Sequence, residues 1–180
     1  MKFLKVLLII ILVIAGLILI IPVFLPGQAT VSTSTSIALS PERVFHQTAR
    51  FSDRAAWDPW LKMEPDAEVT INSKPGYVGS TYSWEGDKIG NGKMRVDSVH
   101  YPDYIASSIW FGESSEPSHV EWLFEDRGDS THITWQFSAE GSYPFGRFML
   151  LLMKGPLESS FTSGLADYKA FLEANPPGDG

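Results

Sequence analysis

Val6 to Leu25 (VLLIIILVIAGLILIIPVFL) runs for twenty residues without a charge or a hydrogen-bonding side chain. As a helix it reaches about 30 Å, the thickness of a bilayer's hydrocarbon core. No helical spacing through it yields the polar face that a soluble surface helix needs. Two fates fit such a segment. A secretory signal has a basic start, a shorter apolar core and a small-residue cleavage site. Lys2 and Lys5 supply the start, and Gly27 and Ala29 could serve a cleavage site. The apolar core is long for a signal, and Pro22 and Pro26 stand between it and that site. The expectation is an uncleaved transmembrane anchor. Lys2 and Lys5 precede it and the next basic residue is Arg43. Basic residues favour the cytoplasmic side, so the N-terminus is expected there, with the rest outside. In a bacterium this is a single-pass protein of the inner membrane with a periplasmic or extracellular domain. The chain then divides into an anchor (1–25), a linker (26–30), a domain (31–175) and a C-terminal tail (176–180).

Beyond the anchor, about 150 residues suit one domain with one core. Lys2 and Lys5 are the only charges before residue 30, which leaves 12 basic against 21 acidic residues, net −9. That balance argues against nucleic acid, whose affinity rests on Lys and Arg at phosphates. It also argues against electrostatic docking on anionic lipid. The absence of cysteine excludes disulfides, Cys-ligated zinc and thiol nucleophiles. All six tryptophans (57, 60, 84, 110, 122 and 135) lie in the outer domain. Rings of that size line cores and apolar pockets alike.

Val31 to Leu39 alternates as a strand, with Val31, Thr33, Thr35 and Ile37 on one side. Ser40-Pro41-Glu42 is a helix start, with a Ser cap, Pro at the first position and an acid in the first turn. A second short helix is expected over 52–57, ending before Pro59. Six strands follow at 68–72, 79–85, 93–100, 104–111, 119–125 and 131–139. Turn-rich separators divide them, among them Gly86-Asp87, Gly90-Asn91-Gly92 and Asp126-Arg127-Gly128-Asp129. Short connections favour an antiparallel meander. The chain ends in helix. Phe145 to Met153 is apolar all round, which predicts burial. Gly155-Pro156 breaks or bends the helix, and Leu157, Phe161, Leu165, Tyr168 and Leu172 form a helical stripe beyond it.

That order resembles the helix-grip fold of the SRPBCC superfamily, which includes START lipid-transfer domains and polyketide cyclase/dehydrase-like proteins. Ser40-Pro41-Glu42-Arg43-Val44-Phe45 is similar to the superfamily's entry to its first helix, and Trp57-Asp58-Pro59-Trp60 to its W-x-P-W segment. Gly79 to Trp84, Thr131 to Trp135 and Gly164 to Lys169 resemble three later motifs in the right order. The resemblance covers about residues 30–174. It implies an α+β fold with a curved antiparallel sheet of about seven strands around a long C-terminal helix, here preceded by one transmembrane helix. It also implies a largely apolar cavity and a hydrophobic small molecule or lipid as the partner. It carries over no catalytic residue.

Strand alternation gives the expected cavity its residues: Tyr82 and Trp84, Trp122 and Phe124, and Trp135 and Phe137. Phe148, Met149, Met153 and Phe161 of the terminal helix form the expected opposite wall, methionine suiting an adaptable pocket. Cyclase-type catalysis needs an acid or base inside that cavity, and His100, His132, Glu85 and Asp97 are the candidates. None has a partner at a telling spacing, so no catalytic residue is assigned. The phosphate, zinc-protease and serine-hydrolase motifs are missing. His119 and His132 on adjacent strands could meet, but two exposed histidines do not make a metal site, and neither metal nor cofactor is expected. The leading expectation is sequestration of a hydrophobic ligand at a membrane. The alternatives are a cyclase or dehydrase, and a protein-interaction module whose core is filled by its own side chains.

Overall fold

The computed structural model describes residues 2–175, so the expected tail at 176–180 lies outside the described residues. Helix α1 (Lys2–Ile20) continues through a 3-10 turn at Ile21–Val23, where Pro22 is the one buried residue. Along α1 the large apolar side chains from Phe3 to Ile20 are almost all exposed. Strand β1 (Gln28–Ile37) begins inside the segment expected as linker. Gln28, Ala29 and Thr30 already pair with Glu140, Ala139 and Ser138.

After β1 come α2 (Pro41–Ala49), a 3-10 stretch (Phe51–Ala56) and α3 (Pro59–Met63). Ser40 occupies the cap of α2 but makes no side-chain capping bond. The bonded cap is Asp58, whose Oδ1 accepts from the amides of Trp60 (2.9 Å) and Leu61 (3.4 Å). Pro59 therefore opens a helix as well as ending one, because its fixed φ and missing N–H suit a first helical position.

Six strands complete a seven-stranded sheet: β2 (Glu68–Asn72), β3 (Thr81–Gly86), β4 (Gly90–His100), β5 (Tyr104–Phe111), β6 (Ser118–Asp126) and β7 (Thr131–Glu140). The order is β1-β7-β6-β5-β4-β3-β2, antiparallel throughout. This is the expected meander, with β1 closing onto the last strand. One local reading changes. Gly90-Asn91-Gly92 belongs to β4, and the turn is Asp87-Lys88-Ile89, since Gly86 pairs with Gly90. A bulge between Val96 and Ser98 shifts the alternation, so Ser98 leaves the face that Met94 and Val96 share.

Helix α4 (Phe145–Ala174) crosses the inner face of the sheet and runs through Pro156 without a break. The two halves of α4 differ. Phe161, Leu165, Tyr168 and Leu172 of its C-terminal half are each at most 2% exposed. Of the first half, expected to be buried, Phe145 is 71% exposed and Leu152 is 71% exposed. The buried half closes an aromatic core. Trp122 stacks on Trp135 (4.7 Å, 11°), Trp57 meets both rings edge-on, and Tyr168 sits 4.5 Å from Trp57. Gly164 permits this packing, because a Cβ there would lie 3.0 Å from Pro59 and 3.1 Å from Trp135.

Candidate functional site

The inner face of the sheet is not filled along its whole length. A cavity of about 420 Å³ opens where β5 and β7 end, β6 starts and the first half of α4 crosses. That size falls within the range of small-molecule sites. Seven of the ten residues expected at a cavity line it: Tyr82, Trp84, Trp135, Phe137, Met149, Met153 and Phe161. Trp135 forms the floor, with Phe161 stacked on it at 4.1 Å.

Trp122, Phe124 and Phe148 do not line it. Trp122 is on the predicted face of β6 but stacks on Trp135 within the aromatic core. Phe124, two residues further on, packs edge-on against Phe45 of α2 (5.9 Å). Alternation picks the face of a strand but not which end of it a helix covers. Phe148 is turned away by helix geometry. At 100° per residue, Met149, Leu150, Met153 and Leu157 share the side toward the cavity and Phe148 falls outside it.

Among the residues not foreseen, Ile89, Met94, Ile109, Phe111 and Val120 extend the apolar wall. Trp84 reaches its place by lying across Gly92, where any Cβ would come within 2.2 Å of its ring. Two buried charges also line the cavity. Arg54 Nε donates to Asp58 Oδ2 at 2.7 Å, and the side chains are 7% and 5% exposed. The guanidinium lies over the rings of Trp57 (5.2 Å) and Tyr82 (5.6 Å) and reaches the sulfur of Met94 at 3.8 Å. Asp58 is fully engaged by Arg54 and the two α3 amides. Burial pushes the Tyr82 hydroxyl up to about 12, so it stays protonated at neutral pH. The Trp135 indole N–H is buried without a hydrogen-bond partner. A buried donor without a partner is costly unless something accepts from it. The wall is thus mostly apolar, with the Arg54–Asp58 pair and Tyr82 together at one place. The one sequence signal for that place was the Trp57-Asp58-Pro59-Trp60 segment, whose Asp58 holds Arg54 across one helical turn.

The catalytic candidates from sequence lie elsewhere. His100 is exposed and faces Asp103 at 3.4 Å. His132 meets the Ser36 hydroxyl at 3.2 Å. Glu85 is exposed, and Asp97 binds Arg95 and Ser108. His119 and His132 do not meet, because the register sets them opposite Ser138 and Glu125. Behind the β3–β4 turn, Glu64 accepts from the amides of Asp87, Lys88 and Ile89 at 2.8–3.0 Å. Those bonds, Ile89's first, hold its carboxyl below the usual range, and they fix Ile89 in the cavity wall.

The fold recurs in solved structures. The Aha1 dimer from Colwellia psychrerythraea is 16% identical, with a TM-score of 0.57, over 83% of this chain and 99% of that one. Protein CV1439 from Chromobacterium violaceum is 12% identical, with a TM-score of 0.58, over 80% and 96%. CalU16 from Micromonospora echinospora is 13% identical, with a TM-score of 0.50, over 83% and 85%. Among curated proteins there is no match. At the level of sequence, the family described as "Polyketide cyclase / dehydrase and lipid transport" matches residues 28–173, from the start of β1 almost to the end of α4. The chain belongs to that polyketide cyclase/dehydrase and lipid transport family, and its helix-grip fold is the SRPBCC one.

Proposed function

We propose that the protein is a membrane-anchored binder of an amphipathic hydrophobic molecule, a lipid or lipid-like compound with one hydrogen-bond-accepting end. The cavity carries this reading: an apolar space of about 420 Å³ in which Arg54 and the unpaired Trp135 N–H stand among aromatic and methionine side chains. The ligand's apolar body leaves water against Trp84, Phe137, Met149, Met153 and Phe161, at roughly 25 cal/mol per Å² buried. Its accepting atom, a carbonyl or carboxylate oxygen, takes the donors near Arg54, Tyr82 and Trp135. The family's printed description includes lipid transport, which agrees with this class of ligand. Residues 3–23 form the anchor, with the N-terminus cytoplasmic and the domain on the far side of the membrane.

A cyclase-type reading has one observation in its favour, namely Arg54, Asp58 and Tyr82 together at the wall. Against it, Asp58 is held by Arg54 and the two α3 amides, and the raised Tyr82 hydroxyl stays protonated near neutrality. The interaction-module alternative required a filled core, and this end of the core is open.

The test is native mass spectrometry of the full chain released from detergent micelles, with lipid extraction, beside displacement of the fluorophore 1-anilinonaphthalene-8-sulfonate by a long-chain fatty acid and by the alkane of equal length. Co-purified lipid and preference for the acid support the reading. No bound molecule and no displacement would sink it.

A further inference from the structure

The cavity opens at the end of the sheet nearest the anchor. The register places Gln28 of β1, just beyond the 3-10 turn, beside Glu140 at the end of β7. It groups Ser118, Phe111 and the Asp87–Ile89 turn at the same end of their strands. The first half of α4 is bolted to the anchor there. The Tyr143 hydroxyl donates to the carbonyl of Leu19, within the apolar span, at 2.6 Å. Arg147 Nη1 donates to the carbonyls of Pro22 (2.9 Å) and Leu25 (3.2 Å). Through these bonds α4 starts at the depth where the span ends, and tyrosine favours that depth.

From this start, Phe145, Leu151 and Leu152 project outward at 71%, 58% and 71% exposure, with no covering element among the described residues. A cluster of large apolar side chains exposed on one helical segment marks a surface that something covers. Met149 and Met153 are exposed too, and both also line the cavity, so they form its rim.

We propose that the first half of α4 lies in the outer interface of the bilayer and that the cavity opens into the lipid past the rim formed by Met149 and Met153. The apolar arc is continuous with the anchor, to which it is hydrogen-bonded, so a bilayer that takes α1 meets it. A ligand then passes from lipid to cavity without crossing water. This rests on the membrane-anchor reading.

The chain has no cysteine, so single reporters are clean. Phe145→Cys and Leu152→Cys, both exposed and safe to fold, are labelled with a nitrobenzoxadiazole dye. Asp129→Cys, in the β6–β7 turn at the other end of the sheet, is the control. The labelled full chain is reconstituted in phosphatidylcholine vesicles with and without doxyl-labelled lipid. Blue-shifted emission with several-fold stronger doxyl quenching at 145 and 152 than at 129 is expected. Blue-shifted emission without quenching means protein covers the arc and overturns the proposal. Water-like emission from chain that resists alkaline extraction overturns it while leaving the anchor intact. Release of the chain by alkaline extraction removes the anchor reading and the proposal with it.

Discussion

Trp135 is the residue on which the site turns. It is 1% exposed, stacks on Trp122 and Phe161, and carries an indole N–H with no partner. Trp135→Phe keeps most of the ring and removes the donor. It is expected to cost the folded protein little beyond a packing defect of about 1–2 kcal/mol. It should weaken a fatty acid more than the matching alkane, which paired titrations of the two read out. Arg54 is less forgiving. Arg54→Leu leaves Asp58 buried without its cation, and removing one member of such a pair costs about 3–5 kcal/mol. A large drop in the thermal midpoint is expected, with Arg54→Lys falling between, because the ammonium restores charge but not the side-on Nε bond. Neither role was legible from composition. Alternation placed Trp135 on the inner face, but Arg54 sits in a 3-10 stretch whose side chains follow no simple period, and its aim depends on Asp58.

Elements were legible where a period or a punctuation residue spoke clearly. All seven strands and the three helices α1, α2 and α4 follow from alternation, apolar length, the Ser-Pro-Glu start and the stripe from Leu157 to Leu172. The β3–β4 turn was legible at Gly86-Asp87, but it was drawn too long, through Gly90-Asn91-Gly92, because glycine punctuates strands as well as turns. Gly92 is in a strand to make room for Trp84. The real turn has ordinary residues and is held from outside by Glu64. That arrangement predicts a pH response. The folded Glu64 pKa lies below its ordinary 4.5, so the unfolded chain binds the proton more tightly. The turn's stabilisation is therefore whole above the ordinary value and fades as pH falls through the lowered one. Amide exchange at Asp87, Lys88 and Ile89 should accelerate in that acid window, beyond the intrinsic rate, and Glu64→Gln should remove the dependence. A turn indifferent to both would show that Glu64 does not hold it. In α4, Pro156 forfeits a hydrogen bond to the carbonyl of Leu152. Pro156→Ala is expected to raise stability by about 2 kcal/mol, the interior proline penalty less the entropy returned to the unfolded chain. If the proline sets the angle at which the first half of α4 crosses the cavity, the same variant loses ligand affinity as it gains stability.

At the scale of the molecule, the N-terminal apolar helix and the domain are joined by hydrogen bonds as well as by the chain. β1 takes up the chain almost directly after the 3-10 turn, Gly27 accepts from Gly141, and Arg147 grips the two carbonyls between them. A five-residue linker was the natural reading of PGQAT, since Pro and Gly usually mark loops. Instead Gln28 to Thr30 pair with the end of β7, which only the full sheet reveals. The hydrogen-bonded joint makes a prediction that a free tether would not. Inserting ten Gly/Ser residues between Leu25 and Pro26, together with Tyr143→Phe and Arg147→Ala, leaves β1 in place and separates α4 from the span, because the bonds to Leu19, Pro22 and Leu25 go with the two side chains. Affinity for a pyrene-labelled fatty acid in detergent should be unchanged. Transfer of that probe from the host vesicle into the protein should slow, because the cavity rim no longer rests on the lipid and the ligand must cross water to reach it. Arg147→Ala should move the same rate in the same direction by a smaller amount, since Tyr143 still holds Leu19. Equal transfer rates for the inserted and native chains would mean that the anchor only keeps the domain nearby, and that the bonds from Tyr143 and Arg147 have no part in delivery.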